Sequence, residues 1–162
     1  MSLQNAEKLL DRTGWHILRM LQENARMTYA QIGKQVGLTA PGVADRIRRM
    51  EEAGILTGYR ASIDLKLVGL GITAYLRIKA SSRPRDALVC CLQDSAEVLE
   101  AHNVTGTDDF LIKIAVRDVD HLSEVIVRIS EQPGVEETVT YIVMHTPVAH
   151  RSVDDSMLQR PA

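Results

Sequence analysis

The sequence predicts an α+β chain built from two small and unlike halves, three short helices followed by a βαββαβ run. Three observations carry that prediction. Up to Gly54, apolar residues recur at three- and four-residue spacing, and helix-capping residues stand in the gaps. From Ile72 onward, apolar and polar residues alternate instead, as they do along a half-buried strand. Between the two patterns, Asp64 to Gly71 carries two glycines and neither period, which marks a linker. The expected division is therefore residues 1–63, a linker at 64–71, a second domain at 72–150 and a polar, loose tail at 151–162.

The first half reads as a winged helix-turn-helix. Leu10, Ile17, Leu18 and Leu21 set the stripe of a first helix over residues 11–24, with Gly14 weakening its first turn. Thr28 and Gln31 have the spacing of a capping box, which opens a second helix. Tyr29, Ile32, Gly33 and Val36 would form its buried stripe, and Gly37 stands where a left-handed residue would end it. Thr39 caps a third helix with Pro41 in the first turn, where the missing amide costs nothing. Val43, Ile47 and Met50 line one face of that helix, and it ends near Gly54. Ile55-Leu56 and residues 59–63, joined at Gly58, are expected to pair as a short hairpin, the wing.

In the second half, Ile72, Ala74, Leu76 and Ile78 point one way from a strand while Thr73, Tyr75, Arg77 and Lys79 point the other. A helix from Pro84 to Asp94, strands over 97–105 and 110–116, a helix over 120–132 and a last strand over 135–144 complete the run. That order is the ferredoxin-like split βαβ, an antiparallel sheet with both helices on one face, so the other face needs a partner.

Composition narrows the function. With 45% apolar and 25% charged residues the chain is an ordinary globular one, and no apolar run reaches the length of a membrane span. Residues 1–11 lack a signal-peptide core, and Cys90 and Cys91 are adjacent, which suits neither a disulfide framework nor a zinc site. A reducing cytoplasm is the expected setting. The five histidines show no ligand spacing, and no catalytic constellation is recognisable, so neither enzyme activity, cofactor nor metal is expected. An RNA-reading sheet would need stacking aromatics, and the whole chain has one Phe, four Tyr and one Trp.

Charge is split by position. Residues 1–64 hold nine Lys/Arg against seven Asp/Glu, while the whole chain carries −2. Between Arg26 and Arg60 there are six basic and three acidic residues, a local basic face of the kind that phosphate binding requires. With Val43, Ile47 and Met50 turned inward, Pro41, Asp45, Arg48 and Arg49 project outward on the third helix, Gly42 beside them. The small start Ala40-Pro41-Gly42 lets that helix approach base edges, and Arg48 and Arg49 can reach phosphates or guanine. Thr28, Gln31, Thr39 and Arg60 complete the expected DNA-binding set together with Arg46, for which an ion pair to a carboxylate of the first helix or the wing is an equal alternative. A solvated helix face is the bland alternative for Arg48 and Arg49.

The segments Leu10-Asp11-Arg12, Gly37-Leu38-Thr39, Asp45 to Glu51 and Gly54 to Tyr59 resemble the leucine-responsive regulator (Lrp/AsnC) family. The likeness extends over nearly the whole chain. Val104 to Phe110 stands where that family has a Gly-x-x-Asp-aromatic loop, followed by Pro133-Gly134-Val135 and Thr138 to Met144. The resemblance implies a double-stranded-DNA-binding transcription regulator that forms homodimers assembling into octamers and binds a small effector, an amino acid, in the second domain. It places the effector at Gly106, Thr107, Asp108 and Asp109, whose acids would take an ammonium group, with Thr138 and Thr140 as weaker candidates. Without the resemblance, a tight β-turn accounts for the loop, because Asp and Gly favour turns on geometry alone. The competing reading of the whole protein is an architectural one, an assembly that wraps DNA without an obligatory ligand.

Overall fold

The structure, a computed structural model, describes residues 8–81, 86–149 and 151–158. Contacts divide the chain into two units: one ends at Ala61 and takes in the segment from Val148, and the other runs Ser62–Pro147.

The first unit holds α1 (Arg12–Glu23), α2 (Tyr29–Val36) and α3 (Ala40–Glu52). Each helix begins at a side chain that accepts an otherwise orphaned amide: Asp11 from Gly14, Thr28 from Gln31, Thr39 from Gly42. At Thr28 the exchange is reciprocal, since Gln31 Oε1 accepts the Thr28 amide at 2.8 Å. Gly37 ends α2 with φ 71°, a left-handed conformation that costs a residue with a Cβ. Ile17, Met20 and Leu21 of α1, Ile32 of α2, and Val43 and Ile47 of α3 close one core. Two glycines make its close approaches possible. A Cβ on Gly33 would stand 2.4 Å from the Leu38 carbonyl oxygen, and one on Gly14 would stand 1.9 Å from that of Leu9.

Three expectations change here. Tyr29 is exposed, because an eight-residue helix turns only Ile32 and Gly33 fully inward and leaves the ends of its stripe at the rim. The wing hairpin does not form, and residues 55–71 contain no strand. Its first strand would have needed the amide of either Ile55 or Leu56, and both instead donate to the Met50 carbonyl, at 2.9 and 3.1 Å, as α3 unwinds. The tail is tied down at Val153, whose amide and carbonyl bond the side-chain amide of Gln22 on α1 at 2.8 and 2.9 Å, and a 3-10 turn follows at Asp155–Leu158.

The second unit holds β1 (Ile72–Ala80), α4 (Asp86–Asp94), β2 (Val98–Asn103), β3 (Phe110–Val116), α5 (Val119–Ser130) and β4 (Val135–Ile142). Pro84, expected to open α4, lies outside the described residues. The strands form an antiparallel sheet in the order β2-β3-β1-β4. Ala74, Leu76 and Ile78 pack with Leu88 and Leu92 of α4 and Leu122, Val125 and Ile129 of α5, so both helices cover the same face. Cys90 is exposed and Cys91 half-buried, since Leu88 and Leu92 take the inward positions of α4. Among the described residues, no helix is long and apolar enough to cross a membrane.

Candidate nucleic-acid interface and regulatory loop

The outward face of α3 follows from its buried one. Val43, Ile47 and Met50 are almost wholly covered, which turns Pro41, Arg48 and Arg49 to the surface with Asp45 half-buried beside them. Asp45 accepts from Arg48 Nη2 at 2.6 Å and from Arg49 Nε at 3.0 Å, while Arg48 Nη1 donates to Glu52 at 2.6 Å. The hydrogen bond from Arg48, with Arg49 adding its charge, holds the Asp45 carboxyl below the usual range and outweighs the slight burial. These pairs lie in water, where each holds its arginine only weakly.

Arg46 is committed elsewhere. Its Nη2 meets Asp11 Oδ2 at 2.5 Å, linking α3 to the cap of α1, and its buried Nε has no partner among the described residues. Asp11 therefore serves two tasks, since its other oxygen accepts the Gly14 amide at 2.7 Å. At the start of α3, Ala40, Pro41 and Gly42 lie beside Thr39, whose hydroxyl oxygen accepts the Gly42 amide at 3.3 Å. Thr28 and Gln31 are exposed but spent on capping each other. Arg60 is exposed on the arm that follows α3. That arm is held by Tyr59, which sequence reasoning passed over: its hydroxyl donates to Glu51 Oε1 at 2.9 Å. Burial, and then the Glu51 carboxylate, push the Tyr59 phenol up to about 12.

In the second unit the Gly106–Asp109 loop joins β2 to β3, with Gly106 at φ 127°. Its two acids have different surroundings. Asp109 clamps the loop to β1: its amide donates to the Ile78 carbonyl and its carboxylate accepts the Ala80 amide, both at 2.9 Å. Asp108 faces the uncovered side of the sheet, where Arg77 meets it through Nε and Nη2 at 2.7 Å and Thr107 donates at 3.2 Å. The same Arg77 donates to the Tyr141 hydroxyl at 2.8 Å. Its hydrogen bond is the main reason that the Asp108 carboxyl sits below its usual range. Arg77 and Tyr141 were absent from the expected site. Only the sheet register, Tyr75 opposite Tyr141 and Arg77 opposite Val139, brings them to one face beside the loop.

Thr138 and Thr140 lie elsewhere. They pair with Ile78 and Leu76, which turns them toward the helix-covered face, away from Arg77 and Tyr141. The structure thus gathers Thr107, Asp108, Arg77 and Tyr141 on the open face and separates them from the two threonines. That open face also carries Tyr75, Lys79, Glu100, His102, Lys113 and Glu137.

Comparison with known proteins supplies a context for both regions. The winged helix-turn-helix DNA-binding family matches residues 10–57, and the Lrp/AsnC ligand binding domain matches residues 73–153. An HTH-type transcriptional regulator of Mycobacterium tuberculosis is 35% identical over 83% of this chain and 92% of its own length. Among solved structures, AsnC of Escherichia coli is similar with TM-score 0.81 and 30% identity, covering 87% of this chain and 96% of that one. A transcriptional regulator of Neisseria meningitidis, solved as its L-methionine complex, is similar with TM-score 0.87 and 26% identity, covering 93% of this chain and 99% of that one.

Proposed function

Since the chain belongs to the Lrp/AsnC family of helix-turn-helix transcriptional regulators, a family that is not enzymatic, we propose that it is a sequence-specific regulator whose grip on DNA responds to an amino acid. The observation that carries this reading is the Neisseria structure, which aligns along 99% of its length and holds L-methionine. On this reading α3 enters the major groove, with Ala40, Pro41 and Gly42 near base edges and Arg48 and Arg49 on phosphates. Asp45 and Arg60 flank that contact, Thr28, Gln31 and Thr39 border it, and Arg46 supports it through Asp11. The effector lies at the Gly106–Asp109 loop, where Asp108 exchanges Arg77 for the ligand's ammonium group. Thr138 and Thr140 would contribute only from the far face of the sheet. The uncovered sheet face is where a second copy packs, giving a homodimer from which an octamer is built, and the protein works in the cytoplasm.

The test is a thermal-shift screen of the purified protein against the twenty amino acids, L-methionine first. A ligand that binds only the native state raises the melting temperature with its concentration. A hit that also changes DNA affinity in fluorescence anisotropy supports the proposal. A flat screen with DNA binding intact favours the architectural, ligand-free role.

A further inference from the structure

Both arginines on the outward face of α3 share one carboxylate. Asp45 accepts Arg48 through Oδ1 and Arg49 through Oδ2, and Glu52 takes the second nitrogen of Arg48. The side chains are 57%, 59% and 45% exposed for Arg48, Arg49 and Asp45, so the network stands in water where DNA would lie. Each arginine that moves to a phosphate must leave a carboxylate, and Asp45 is then left against a polyanion. At most sites nothing replaces the departed donors, because the neighbouring outward positions Pro41 and Gly42 bring no side-chain donor and Arg46 is tied to Asp11. The major groove can replace them at one kind of base edge, since the cytosine N4 amino group donates to Asp or Glu.

Resting on the reading that α3 enters the major groove, we propose that Asp45 determines specificity: it restrains Arg48 and Arg49 from phosphates and releases them where a cytosine N4 amino group takes over its carboxylate. The acidic residue thus penalises random sequence more than it weakens the preferred site. Selectivity comes from a repulsive element that only the correct base edge relieves.

Fluorescence anisotropy of the full chain, at several salt concentrations, tests this with two duplexes, one of random sequence and one selected from a random pool by the wild type. Asp45→Asn is expected to tighten the random duplex by about tenfold and to leave the selected one unchanged or weaker, reducing a discrimination of roughly 10- to 100-fold per base contact. Reselection with that variant is expected to lose a cytosine preference, and Asp45→Glu to restore selectivity in part. Glu52→Gln removes the same charge and one Arg48 partner at the far end of α3, and is expected to tighten both duplexes alike.

Equal tightening of both duplexes by Asp45→Asn, no change in either, or a wild type that selects no sequence overturns the proposal. The double variant Arg48→Ala/Arg49→Ala tests the underlying reading separately. Weaker binding with a flatter salt dependence, by about 0.9 in log-log slope for each phosphate that is no longer neutralised, supports α3 as the binding helix. Binding as tight as wild type overturns that reading and the Asp45 proposal with it.

Discussion

Single residues in the first unit act through space as often as through chemistry. Gly33 and Gly37 stand four positions apart on and just after α2, and they are required for different reasons. A methyl group on Gly33 would meet the Leu38 carbonyl oxygen at 2.4 Å, whereas one on Gly37 would meet nothing within 4 Å but would force a side chain into φ 71°. Gly33→Ala is expected to destabilise the unit by about 1–3 kcal/mol, the usual cost of overpacking. Gly37→Ala is expected to cost about 1–2 kcal/mol through its left-handed backbone alone. Urea unfolding followed by circular dichroism separates them through Gly37→Asn, which tolerates that backbone and is expected to recover most of the stability. A Gly37→Asn protein no more stable than Gly37→Ala would contradict the conformational explanation. In the sequence Gly37 was legible as a cap, whereas Gly33 read only as one more member of a buried stripe, because the atom that crowds it arrives from the turn before α3.

Elements are joined by polar contacts that no periodicity displays. Glu97, just before β2, accepts from His121 Nε2 at 3.1 Å and from Arg128 Nη2 at 2.7 Å, so one carboxylate ties the start of a strand to two turns of α5. His121 completes the join by taking the Arg117 amide on Nδ1 at 3.4 Å. Burial opposes ionisation of Glu97, yet its own amide, His121 and Arg128 outweigh that and hold the carboxyl below the ordinary 4.5. Folding therefore releases protons in that interval, and stability falls as the solution is acidified through it. Glu97→Gln is expected to be less stable than wild type near neutrality and to approach it as the pH drops below 4.5. Denaturant midpoints across the acid range check this, and a gap that stays constant contradicts it. The five histidines offered the sequence no means of singling out His121, since its partners lie 24 and 4 positions away on other segments. The wing shows the opposite failure. Gly58 between two short apolar stretches was a fair hairpin signal, and it lost to the last turn of α3, which had already claimed the amides.

For the molecule as a whole, the uncovered side of the sheet is a surface that a second copy can cover. Tyr75 and Tyr141 face each other there across β1 and β4, exposed by 36% and 49%. A stable dimer covers about 800 Å² on each partner, an area the open face of a four-stranded sheet can supply. Wild-type protein is expected to sediment as a dimer or larger, and Tyr75→Asp/Tyr141→Asp to shift it toward monomer in analytical ultracentrifugation with the far-UV spectrum unchanged. A double variant that sediments like wild type places the interface elsewhere. The sequence alone determined the order of the three helices and of the βαββαβ run, the caps of α2 and α3, the two-period switch near Ile72 and the family resemblance, because these depend on neighbours within about one helical turn or on strand alternation. Tertiary structure decided which side chains meet. Asp108 finds Arg77, Asp11 finds Arg46 and Val153 finds Gln22 across separations of 31, 35 and 131 residues. It also turned Thr138 and Thr140 away from the loop they were grouped with, because the register of β4 against β1, set by packing on the helix-covered face, decides on which side each side chain falls.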